Sequence, residues 1–142
     1  MNTSAEAAVL ELYEAWCQAF QTLDSAAMKA LFEQDSAGLV YQSEENADPL
    51  YTWPEIDSYW SAAPLIVESI PEWRELSRKV AIYGDVAFVY GKLQTHLVVK
   101  GAKKPLIGVL RASIGLHCTS LGWKIVHYHE SRQLDLADLF TD

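Results

Sequence analysis

The second half of the chain limits the fold most. From residue 72 onward it alternates long runs rich in β-branched and aromatic residues with short turns. Tyr83-Gly84-Asp85, Gly101-Ala102-Lys103-Lys104-Pro105 and the turn at residues 119–122 carry the Gly and Pro residues that stop a strand and reverse it. Strands are therefore predicted over 72–82, 86–99, 106–118 and 123–133. Runs this long joined by turns this short pair antiparallel, because a parallel pair needs a crossover of a dozen residues or more.

The helical signal precedes all of this. Val9, Leu12, Tyr13, Trp16, Cys17 and Phe20 recur at helical spacing, which predicts an amphipathic helix to about Leu23. Asp24-Ser25 caps a short second helix carrying Met28, Leu31 and Phe32, ending near Gln34. A short strand at residues 39–42 and a polar loop at 46–49 follow. Pro54 opens a third helix over about 54–62, with Ile56, Tyr59 and Trp60 on one side. Pro64 is expected to end it, leaving 64–71 as a connector. Helices first and strands after mean α+β, not a doubly wound sheet. Long strands twist strongly, and one long helix with two short ones cannot cover them completely. The expected result is a cone-shaped fold, N-terminal helices packed on a strongly curved antiparallel sheet, with a cavity at the wide end. One domain of 142 residues is expected, its core about 5–133, with a short tail at 134–142 whose Leu134, Leu136 and Leu139 dock on the body.

Charge and motifs narrow the function. A formal net charge of −8 disfavours nucleic acid and anionic membrane as partners, since both select Lys and Arg. No apolar run reaches the roughly 20 residues needed to cross a bilayer, and the N-terminus lacks a leader pattern, so a cytoplasmic protein is expected. Cys17 and Cys118 match no metal spacing and are expected as buried free thiols. Phosphate-binding glycine loops, the nucleophile-elbow motif of serine hydrolases and the H-E-x-x-H motif are all missing. No cofactor and no metal are expected.

The closing strand carries the polar candidates. Under strict alternation Trp123, Ile125, His127 and His129 share one face, and Lys124, Val126, Tyr128 and Glu130 the other. With a tight turn, Cys118 lies opposite Trp123, and Arg111 opposite Ser131 or Glu130; a one-residue slip sets Arg111 beside His129. Three readings of His127 and His129 stand: structural histidines bonded to a Tyr or backbone group, catalytic pocket groups, or two ligands of a metal site needing His96, His117 or a carboxylate as a third. Tyr41, Tyr59, Trp60 and Trp16 are either core or the aromatic lining of a ligand site. Arg111 either pairs with Glu130 or anchors a ligand carboxylate. Asp35 and Asp48 are loop acids or general bases.

The order of elements, Tyr83-Gly84-Asp85-Val86-Ala87, Arg111-Ala112-Ser113 and Gly122-Trp123-Lys124-Ile125-Val126-His127-Tyr128-His129-Glu130-Ser131 resemble the SnoaL-like branch of the nuclear transport factor 2-like superfamily. The last segment is also similar to a strand in the association domain of calcium/calmodulin-dependent protein kinase II, though this chain carries no kinase domain. The resemblance covers about residues 5–133. It implies a cystatin-like α+β cone, a pocket between helices and sheet, and a homodimer through the outer sheet face, where Val126 and Tyr128 are expected. Because this fold hosts many activities, two functions stay open. One is a small-molecule-binding domain, a cofactor-independent isomerase, cyclase or dehydratase with His129 and His127 as polar focus. The other is a non-catalytic dimerisation or assembly module.

Overall fold

The computed structural model describes residues 3–142. Three helices, α1 (Thr3–Gln21), α2 (Ser25–Lys29) and α3 (Trp53–Ile66), pack on a sheet of β1 (Val40–Gln42), β2 (Val67–Tyr83), β3 (Val86–Val99), β4 (Leu106–Thr119) and β5 (Gly122–Arg132). The sheet order is β1-β5-β4-β3-β2. The four long strands form the predicted antiparallel meander. β1 adds to the free edge of β5 in parallel, so the sheet is mixed. Residues before it do the same job: Ile125 N–H donates to Leu31 O at 2.8 Å and Glu33 N–H to Ile125 O at 3.0 Å. This edge pairing is why the second helix ends at Lys29 rather than near Gln34.

The pairing of β4 with β5 decides what the cavity contains. Cys118 faces Trp123 and Leu116 faces Ile125, as strict alternation requires. The next pair is Gly115 with His127, so Val126 is an extra residue, a β-bulge. It inverts every side chain beyond it. Tyr128 and Glu130 turn inward and are buried, while His127 and His129 are exposed on the outer face. The expectation that the two histidines share the face of Trp123 and Ile125 is corrected here, and so is the placement of Tyr128 on the outer surface. Gly115 accommodates the inversion, since a Cβ there would sit 2.9 Å from His127 Cβ.

α3 runs through Pro64 instead of stopping before it. A helix-interior proline lacks the N–H that would bond the carbonyl four residues back, here Trp60 O. Ser25 Oγ–H donates to that carbonyl instead, at 2.5 Å. α3 therefore ends at Ile66, and β2 starts at Val67 with no connector. Ser25→Ala is expected to lower stability by about 1–2 kcal/mol, the usual penalty for a polar group losing its partner. Adding Pro64→Ala should recover part of it, because the new N–H supplies the missing donor. A double-mutant cycle by denaturant titration checks this; simple additivity would refute it.

α1 lies across the inner sheet face, with Val9, Leu12, Tyr13, Trp16 and Ala19 in the core. Gly91 admits it: a Cβ there would lie 2.9 Å from Tyr13 Cε1 and within the ring's contact radius. The C-terminal tail departs from expectation. It forms a short 3₁₀ turn, Leu136–Phe140, and Leu134, Leu136 and Leu139 are exposed rather than docked. Cys118 is exposed and Cys17 half-buried, both as free thiols, so neither is the buried cysteine expected. Among the described residues no helix is long and apolar enough to cross a membrane.

Candidate functional site

A cavity of about 280 Å³ opens between α3, the end of α1 and the inner sheet face. Its walls are mostly apolar. Phe20 comes from α1, Tyr59, Trp60 and Ala63 from α3, and Leu97, Leu106 and Leu110 from the sheet. The polar groups gather on one wall: Glu44 and Glu45 from the loop after β1, and Glu130 and Arg132 from β5. An apolar cavity with a few convergent polar groups is the usual form of a small-molecule site.

Glu130 is the centre of this wall and is 5% exposed. Tyr128 Oη–H donates to its Oε1 at 2.6 Å, and the Glu44 N–H donates to its Oε2 at 3.3 Å. Burial is the largest influence on its carboxyl and favours the neutral form; the Tyr128 bond opposes this, and the Glu44 charge adds to it. The net effect pushes the pKa up from 4.5 to about 7. Arg132 is engaged elsewhere. Its Nε donates to Glu44, 2.8 Å from both carboxylate oxygens, and its Nη2 donates to Thr95 Oγ at 3.2 Å. Thr95 in turn donates to Gly108 O at 3.1 Å.

Behind the wall lies an aromatic stack. Tyr41 and Tyr128 are parallel at 4.7 Å, and Trp60 Nε1–H donates to Tyr41 Oη at 3.1 Å. Burial raises both phenols well above their ordinary 10. Tyr59 Oη–H donates to Glu45 Oε2 at 2.8 Å at the cavity margin, and burial raises its phenol too.

Of the residues singled out from sequence, Tyr59 and Trp60 line the cavity. Tyr41 and Trp16 are buried core, 1% and 0% exposed, Tyr41 one layer behind the wall. Arg111 lies opposite Ser131 and donates from Nε to its Oγ at 3.1 Å, so it neither pairs with Glu130 nor reaches the cavity. His127, His129 and Arg111 all belong to the outer face, away from the cavity. Asp35 and Asp48 are exposed loop acids. Among the described residues no three His, Cys, Asp or Glu side chains come together as a metal site. Sequence reasoning missed Glu130, Glu44, Glu45 and Arg132 as a group. Glu130 and Arg132 stand two apart, the signature of a shared strand face, but the bulge hid which face it was.

A family model described as SnoaL-like domain matches residues 9–135. The fold is similar to several solved structures. A candidate dehydratase of the NTF2-like family from Streptomyces avermitilis superposes with a TM-score of 0.79 at 18% identity, covering 94% of this chain and 99% of that one. An NTF2-like superfamily protein from Salmonella enterica serovar Typhimurium gives 0.81 at 16% identity, covering 95% of each. A candidate calcium/calmodulin-dependent kinase II association domain from Exiguobacterium sibiricum gives 0.72 at 14% identity, covering 92% of this chain and 94% of that one. At these identities the likeness concerns the fold. No curated protein matches the sequence.

Proposed function

The chain belongs to the SnoaL-like domain family, and we propose that its cavity binds a small, largely apolar molecule on which Glu130 acts as general acid–base. One observation carries this reading. A carboxyl stands buried on the cavity wall, bonded by Tyr128, and that burial pushes its pKa up to about 7. Such a group takes up and returns a proton near neutral pH, where an ordinary carboxylate would be too weak a base. The reaction class that suits it is isomerisation or dehydration, each moving a proton at a carbon beside a carbonyl. The likeness to a candidate NTF2-like dehydratase supports that direction.

The test is α-proton exchange in D₂O across a panel of cyclic ketones and enones, followed by NMR. At least one compound should exchange faster with the protein than without it, the rate rising through about pH 7. Glu130→Gln should slow it by about 10²-fold or more, the usual scale for losing a general base. A variant as fast as wild type would refute the assignment.

A second reading concerns assembly. The outer sheet face exposes Phe88, Tyr90 and Tyr83, at 52%, 39% and 68%. Such a patch on β2 and β3 fits a homodimer through this face, with Val126 and His127 at its border, while Tyr128, also expected there, is buried instead. Light scattering at micromolar concentration should give twice the chain mass, and Phe88→Glu should halve it. A wild-type monomer would refute this reading.

A further inference from the structure

We infer that the ligand of this cavity carries a positive charge, an ammonium on an apolar body; this rests on the reading of the cavity as a small-molecule site. Three carboxylates, Glu44, Glu45 and Glu130, stand on the cavity wall against one basic group, Arg132. That one is already committed. Its Nε and Nη2 go to Glu44 and Thr95, and its Nη1 is buried without a hydrogen-bond partner. Nη1 lies over Gly108, where a Cβ would meet it at 3.3 Å, so it is sealed against the sheet rather than presented to a ligand. A ligand carboxylate entering here would find acids and no unengaged cation, and a buried charge without a partner is strongly disfavoured.

An ammonium finds the opposite. Glu45 holds a carboxylate at the margin, bonded by Tyr59. Phe20, Tyr59 and Trp60, packed edge to face at 5.2 and 6.0 Å, line the same cavity, and aromatic rings attract a cation held near them.

The charge of the ligand can be read from its linkage to Glu130. Facing that carboxyl are Tyr41, Glu44 and Glu45 from β1 and its loop, Tyr59 from α3, and Tyr128 and Arg132 on its own strand. A cation favours ionised Glu130, so it binds with proton release and tightens as pH rises through neutrality. A carboxylate needs Glu130 protonated and tightens as pH falls.

Three molecules of one shape separate the outcomes: phenethylamine, phenethyl alcohol and 3-phenylpropionate, titrated by NMR at about pH 6 and about pH 8, where the amine stays protonated. At the higher pH the amine should bind at least about tenfold tighter than the carboxylate, a step of about 1.4 kcal/mol. Its own affinity should rise several-fold between the two pH values. Glu45→Gln should weaken the amine several-fold and leave the alcohol within about twofold. A thermal melt confirms that this variant is folded, and the wild-type pH dependence stands without it. Equal binding of amine and alcohol, or preference for the carboxylate, would overturn the inference and leave the cavity reading intact. Failure of all three at millimolar concentration would overturn both.

Discussion

Raising the pH from about 4.5 to about 7 should cost the wild-type protein about 3 kcal/mol of stability through Glu130 alone. The sign follows from the direction of the shift. The folded carboxyl binds its proton more tightly than the unfolded one, so its contribution is fully present below pH 4.5. It is lost as pH rises and is gone once the folded pKa near 7 has been passed. Glu130→Gln carries no titrating proton. Its stability should be offset by about 1 kcal/mol at low pH, because the amide cannot accept both the Tyr128 and Glu44 donors. The difference between wild type and variant should then change sign as pH rises. Urea midpoints across that range measure it, and parallel curves would show that Glu130 titrates as an ordinary surface acid.

Trp16→Ala should lower stability by about 3–5 kcal/mol, the range for emptying a buried large aromatic. Trp16 is fully buried and touches the rings of Tyr13, Phe20, Trp73 and Tyr128 at centroid distances of 5.8, 5.6, 5.4 and 5.8 Å. For a domain of this size the melting temperature should fall by roughly 10 °C or more. Tyr59→Phe is the contrast. It removes one exposed hydroxyl bond to Glu45 at the cavity margin and should change stability by less than about 1 kcal/mol. If Trp16→Ala melted like wild type, the helix-to-sheet packing described above would be wrong.

The architecture was legible because its signals are redundant. Helical spacing from Val9 to Phe20 agrees with the cap at Asp24, and each long strand is bounded by its own turn. The tight turn at residues 119–122 placed Cys118 opposite Trp123 correctly. Pro64 misled for a physical reason. Its missing hydrogen bond is replaced by Ser25, 39 positions earlier in the chain, and no local rule sees such a partner. The polar wall misled in the same way. Alternation is a dependable rule only in an uninterrupted ladder, and Val126 interrupts it. Tyr59 and Trp60 survived as cavity residues because helical spacing on α3 contains no such interruption. The histidines inherited the opposite side from a single uncounted residue.

That residue behaves as a parity bit for the second half of β5. Pairing Val126 within the ladder instead of bulging it, with the turn kept, would slide every later residue of β5 one place along β4 and restore simple alternation from Trp123 onward. Two imidazoles would then point into the cavity, and the carboxylate with its guanidinium neighbour would face solvent. The segment thus encodes two chemically different interiors, one acidic and one imidazole-lined, in interleaved positions. A one-residue shift of register separates them, with no change to any side chain that would do the chemistry.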